Sequence, residues 1–271
     1  MSRTDLSHGV GAPRRARISA RTLREDRWWL QPAATFVALT LWLAYGLVRT
    51  ATQANYYVAD YRYLTPFASP CLSTSCVPGS SHFGTPFPDF PPLIPFAIVT
   101  LPLLLLFRLT CYYYRKAYYR AFWLSPPACA VAEPHAKYTG ETRFPLILQN
   151  LHRYFFYAAI LISLINTYDA LVAFHGKDGG FGFGLGNLVL LGNVVLLWAY
   201  TLSCHSCRSI TGGRLNHFSR HPVRYWLWQQ VSRLNQRHMQ FAWITLATLV
   251  ITDAYVALVA SGAISDLRFV N

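Results

Sequence analysis

Five stretches of roughly 20 mostly apolar residues punctuate the chain, at about 31–48, 91–110, 151–174, 185–203 and 239–260. Each is long enough to cross a hydrocarbon core of about 30 Å at about 1.5 Å per residue. A helix satisfies all its own backbone hydrogen bonds in lipid, whereas an isolated strand leaves its edges bare, so the stretches predict helices. Pro91, Pro92, Pro95 and Pro102 fall in the second stretch and predict a bend there. The fold class that follows is an all-α integral membrane protein, a bundle of about five transmembrane helices. Its expected divisions are a basic tail at 1–30, a transmembrane domain at 31–262 and a short tail at 263–271.

Composition agrees with that pattern. Of 271 residues, 53% are hydrophobic and 13% are charged, where a soluble domain carries about 25% charged residues. No small-residue cleavage site follows the first apolar stretch, so it is expected to stay as an anchor. The formal net charge of +13 does not point to nucleic acid, because the basic residues sit between the apolar stretches. Of the 24 Lys and Arg, only Arg49, Arg62, Lys177 and Arg268 fall on the opposite side from the rest. Basic loops stay in the cytoplasm, so the N-terminus is expected inside and the C-terminus outside, in a multi-pass protein of the plasma membrane.

The 51–90 loop then lies outside, with Cys71 and Cys76 either disulfide-bonded or left as two thiols. The GGFGFG run at 179–184 follows no strand and reads as a flexible turn rather than a phosphate cradle.

Helices two and three resemble helices four and five, a repeated hairpin. Leu109-Thr110-Cys111 closes helix two, and Leu202-Ser203-Cys204 closes helix four. His152 opens helix three and His238 opens helix five, with Asp169 and Asp253 toward their far ends. Counting residues puts the four Cys and His groups at one depth, about 25 Å from the outer boundary. Cys207 lies three residues past Cys204, on the same helix face.

Two sulfurs and two imidazoles in one layer are a metal-site composition. A tetrahedral zinc site, a Rieske-type [2Fe–2S] cluster with two Cys and two His, and a haem b held by His152 and His238 all remain open. Asp169 and Asp253 are expected at solvated helix ends, and His217 and His221 on the surface. The 111–130 stretch, dense in Tyr and basic residues, reads as an aromatic belt or as a docking surface for a partner.

Longer segments carry a resemblance. CYYYRKAYYR (111–120), SPPACAV (125–131), YTGETRFPLILQNLHRYFFY (138–157), SCHSCR (203–208) and RLNQRHMQFAW (233–243) resemble the membrane-anchor subunit of actinobacterial succinate dehydrogenase. The likeness runs from about residue 30 to 262 and is strongest to the five-helix mycobacterial class, type F. It implies a chain that carries no succinate chemistry itself. Such a chain anchors a flavoprotein subunit and an iron–sulfur subunit in the lipid and passes electrons to menaquinone or ubiquinone. It also implies a Rieske-type [2Fe–2S] cluster on His152 and His238 with two of Cys111, Cys204 and Cys207, haem b being the alternative. The repeat favours Cys111 with Cys204, and the CxxC spacing favours Cys204 with Cys207. Tyr113, Tyr114, Trp123, Arg153 and Arg237 lie at the level expected for quinone contacts. A small-solute transporter using Asp169 and Asp253 is the rival from another class.

Overall fold

A computed structural model describes residue 24 and residues 26–91, 94–99, 101–131, 133–134, 142–144 and 146–271. The chain is an all-α membrane bundle. The helices are α1 (Leu30–Thr52), α2 (Leu101–Thr110), α3 (Tyr112–Phe122), α4 (His152–Val172), α5 (Leu185–Leu202), α6 (His205–Gly212), α7 (Pro222–Asn235) and α8 (His238–Ala260). Of these α1, α5, α8 and α4, with the 3₁₀ turn that leads into α4, are long and apolar enough to cross a membrane. Most of the basic tail expected at 1–30 lies outside the described residues.

The second apolar stretch is not one long helix. A 3₁₀ turn at Phe96–Val99 precedes α2, which has 10 residues. At about 1.5 Å per residue, α2 alone rises only about 15 Å. Pro91 and Pro95 lack an amide hydrogen, and Pro102 is tolerated only in the first turn of α2, so the sequence delays the helix.

In the bundle α5 packs on α8 and α4, and α2 on α4; α1 lies outside, against α3 and α8. The distribution of side chains departs from that of a soluble protein: large apolar residues face outward while polar ones share the interior with apolar clusters. Leu41, Val48, Leu161, Leu171, Val195 and Ile251 are exposed, while Ser163, Asn166, Asn187, Asn193, Thr245 and Thr252 are buried. Where the surroundings are lipid, apolar residues gain nothing by turning inward, and polar ones are cheapest at helix contacts. Several satisfy themselves on their own helix. Ser163 Oγ donates to Ala159 O at 2.8 Å, and Asn166 Nδ2 to Ile162 O at 2.9 Å.

The two ends of the bundle differ. At one end the 53–91 segment folds over the helices. Strands β1 (Tyr57–Val58) and β2 (Tyr63–Leu64) form an antiparallel pair, and Cys71 and Cys76 form a disulfide with Cα atoms 6.0 Å apart. Strand β3 (Phe183–Gly184) pairs antiparallel with β4 (Arg268–Val270), so the GGFGFG run ends in a strand rather than a free turn. Asp169 and Asp253 lie toward this end, and both are buried rather than solvated. Asp253 Oδ2 receives Arg49 Nε at 2.6 Å and Tyr45 OH at 2.5 Å; Asp169 pairs with His82 Nδ1 at 2.6 Å and accepts from Ser69. The helical count could not show that the folded loop supplies the partners of Asp169 and α1 those of Asp253. At the opposite end α3, α6 and α7 carry the aromatic and basic residues.

Candidate redox centre

Cys111 and Cys204 both stand in the break between two consecutive helices, α2 and α3 for the first, α5 and α6 for the second. Each is the N-cap of the next helix, α3 or α6, with extended backbone at φ −66°, ψ 130° and φ −64°, ψ 145°. That geometry turns the sulfur back over the first amides. Cys204 Sγ accepts from Ser206 N at 3.3 Å, whereas Cys111 makes no such cap hydrogen bond. A helix N-terminus presents unpaired N–H groups and partial positive charge, which suits a thiolate.

The two histidines meet these sulfurs crosswise. His152 Nε2 lies 3.0 Å from Cys204 Sγ, and His238 Nε2 lies 3.5 Å from Cys111 Sγ. The other ring nitrogen of each is held by a hydroxyl. Thr110 Oγ1 is 2.8 Å from His152 Nδ1, and Ser203 Oγ is 2.7 Å from His238 Nδ1. Each hydroxyl belongs to the residue just before a cysteine, so the repeated hairpin yields a site of approximate two-fold symmetry. A fixed Nδ1 leaves Nε2 aimed at the centre, the arrangement typical of metal-ligating imidazoles. Aromatic rings complete the walls: Phe107 stacks on His152 at 4.9 Å and Tyr200 on His238 at 5.1 Å.

Cys111, Cys204 and His238 are buried and His152 is half-buried. They line a cavity of 270 Å³ together with Tyr113, Arg115, Gln149, Arg153 and His205. Cys207 does not line it, although it shares the apolar cluster around Phe107 and Phe156 with Cys111 and Cys204; burial pushes its thiol up. Among the described residues, no three His, Cys, Asp or Glu side chains gather about one point as a single-ion site requires. The donors stand instead as two Cys–His pairs. Two thiols and two imidazoles bordering one cavity, three of them buried, form a donor set that a two-iron centre with mixed ligation could use.

The other sequence candidates separate. Tyr113 lies 5.5 Å from the His238 ring, and Arg153 lines the same cavity while donating to Ser209 Oγ at 2.9 Å. Tyr114 and Trp123 line a different, apolar groove of 470 Å³ between α1, α2 and α3. Arg237 is exposed, lines neither space, and only precedes His238 at the start of α8. His205 lines the cavity, its basicity lowered by burial and by Arg208, and its ring stacks with Tyr113 at 6.3 Å. Cys129, His217 and His221 are exposed. The sequence reading passed over Tyr200 and Arg108, and quoted Thr110 and Ser203 without a role. The two hydroxyls were legible in the repeat, one residue before each cysteine.

A bundle of long apolar helices with paired thiols and imidazoles at one end defines a polytopic membrane protein. Residues 30–262 match the family described as actinobacterial succinate dehydrogenase subunit SdhC. The chain belongs to that family and is therefore a subunit of a succinate dehydrogenase. Among solved structures it is similar to a chain of the Mycobacterium smegmatis Sdh1 complex in the apo form. The two share 69% identity and a TM-score of 0.89, over 97% of this chain and 99% of that one. No curated protein matches.

Proposed function

We propose that this chain is the membrane anchor and electron-transfer subunit of its complex, holding a Rieske-type [2Fe–2S] cluster between the partner subunits and the quinone. The observation that carries the reading is the crossed pair of contacts, Cys204 to His152 and Cys111 to His238, with both Nδ1 atoms pinned. Cys111, Cys204, His152 and His238 would hold the cluster, and Cys207 would not. When bound, it supplies a one-electron relay. The chain's own work is to bury that relay, aim its imidazoles and present amides to its sulfurs. Imidazole ligation raises the potential of such a centre above that of all-Cys ligation, which suits delivery of electrons to a quinone.

Tyr113 and Arg153 are the quinone contacts that this geometry favours, since both border the site cavity and both carry hydrogen-bond donor groups. The end that carries α3, α6 and α7 faces the cytoplasm, where flavoprotein and iron–sulfur partners dock on its basic and aromatic surface. Two features support that orientation: the Lys and Arg bias and the disulfide at the opposite end, which belongs on the oxidising side. The haem alternative has less support, because each Nε2 faces a sulfur rather than an open slot.

The test is electron paramagnetic resonance and visible absorbance on the dithionite-reduced complex. The expected result is a Rieske-like signal in the wild type, lost in His152→Ala and His238→Ala, with Cys207→Ser unchanged. A haem absorbance band in place of that signal overturns the cluster reading in favour of haem b.

A further inference from the structure

Arg108 is a cation in a place where cations are expensive. It sits on α2, is only 8% exposed, and has no carboxylate partner among the described residues. Its Nη1 donates to Tyr114 OH at 2.6 Å and to Thr245 Oγ1 at 3.3 Å, both neutral groups. Its guanidinium carbon lies 5.0 Å from the centre of the Tyr200 ring and 5.7 Å from that of Tyr114. Cation–π contacts soften the cost of burial but do not cancel the charge. By contrast, Arg49 and Arg268, the partly buried arginines at the disulfide end, each have an aspartate.

What surrounds Arg108 indicates where its counter-charge belongs. It stands one helical turn before Cys111, within electrostatic reach of that sulfur. The Tyr200 ring that it overlies is the one stacked on His238, 5.1 Å away. So the uncompensated charge lies within electrostatic reach of one candidate ligand, Cys111, and is linked to a second, His238, through the Tyr200 ring.

Charge bookkeeping of the cofactor in the proposed function completes the argument, and the inference rests on that reading. Two ferric ions are balanced by two sulfides and two thiolates, and neutral imidazoles add nothing. One electron from the iron–sulfur partner leaves one net negative charge, with no proton or leaving group required. We propose that Arg108 is the counter-charge for that electron: it stabilises the reduced centre and so raises its midpoint potential. At an effective dielectric constant of about 20, a unit charge about 10 Å away shifts such an equilibrium by roughly tenfold.

The experiment is a potentiometric titration of the paramagnetic signal in the purified whole complex, comparing wild type, Arg108→Gln and Arg108→Lys. In Arg108→Gln the signal persists and the reduced-to-oxidised ratio at fixed potential falls about tenfold, a drop of about 59 mV for one electron. Arg108→Lys keeps most of the wild-type value, which separates charge from packing. If Arg108→Gln does not assemble, Thr245→Asp is used. It sets a carboxylate beside the guanidinium with Arg108 in place, and it lowers the potential in the same direction. A potential unmoved in the neutralising variant that assembles, with the signal intact, overturns the role of Arg108 alone. Absence of the signal from the wild-type complex overturns the cluster reading and this inference together.

Discussion

The hydroxyls of Thr110 and Ser203 reach across the bundle to the histidine that faces the other cysteine. Thr110 precedes Cys111 and holds His152; Ser203 precedes Cys204 and holds His238. Thr110 also lines the site cavity, but each hydroxyl meets the Nδ1 of its histidine and not a cysteine sulfur, so their part is to position. Partners of this kind typically contribute about 10–100-fold in metal affinity or activity. Thr110→Val and Ser203→Ala are each expected to lower quinone reduction by about that factor, and to broaden the cluster signal, with the complex still assembled. Thr50→Val is the control. Its hydroxyl is also buried but bonds only to Gly46 O on its own helix, and its loss should leave quinone reduction near wild type. Equal losses in all three would mean that the effect is one of general packing. Residue types were legible here but their pairing was not. The repeat placed two Cys and two His at one depth. Which sulfur meets which imidazole depends on how α2, α4, α5 and α8 cross, and that is a property of tertiary packing.

At the scale of elements, α5 shows how closely the loop at the disulfide end is fitted to the bundle. A Cβ on Gly186 would lie 2.2 Å from Tyr63 Cε2. Tyr63 is fully buried, and its hydroxyl lies 3.0 Å from Asn187 Oδ1 and 2.8 Å from Asp266 Oδ2, and receives Arg268 Nη1 at 2.7 Å. The ring therefore cannot step aside. Gly186→Ala should destabilise the protein by about 1–3 kcal/mol, the usual range for forcing extra atoms into a packed contact. Gly192, two turns along the same helix, has nothing within 4 Å of the same added atom. Gly192→Ala should be neutral or stabilising by about 0.5–1 kcal/mol, since alanine is the better helix former. Thermal unfolding of the detergent-purified complex distinguishes the two, and similar midpoints for both variants would refute the tight fit. The long helices were readable because 20 apolar residues have few alternatives in lipid. Helix α2 was misjudged in length because hydropathy counts prolines as tolerable and backbone geometry does not. Short helices α6 and α7 gave no such signal, being half polar and held by contacts rather than by composition. The aspartate partners were illegible for the same reason as the ligand pairing: Ser69 and His82, at Asp169, come from a loop whose path no periodicity encodes, and Arg49 and Tyr45 reach Asp253 only through the packing of α1 on α8.

For the whole molecule, the question is what keeps α1 on the bundle. Its buried residues are Pro32, Gly46 and Thr50, and most of its apolar side chains face outward. Lipid solvates those side chains as well as another helix does, so hydrophobic burial offers little attachment. The polar ties remain. Trp42 Nε1 donates to Leu246 O at 3.1 Å, and Arg49 and Tyr45 grip Asp253 on α8. The Asp253 side chain is 1% exposed and that of Arg49 16%. Removing one member of a buried pair leaves the other charge stranded, at a cost of about 3–5 kcal/mol, whereas replacing both by apolar groups is often neutral. Asp253→Asn and Arg49→Met are thus each expected to lower the thermal midpoint and to open the loop after α1 to protease. The double replacement Arg49→Met with Asp253→Leu should recover most of the loss. Electron transfer at the opposite end should persist in every variant that assembles. A transport pathway through Asp253 makes the contrary forecast. Asp253→Asn would then alter proton or solute leak across vesicles carrying the complex, and the melting midpoint would stay in place. The bidentate contact to Arg49, with Nε at 2.6 Å and Nη2 at 3.3 Å, favours the clamp, because a carboxylate so engaged has little freedom to pass an ion along.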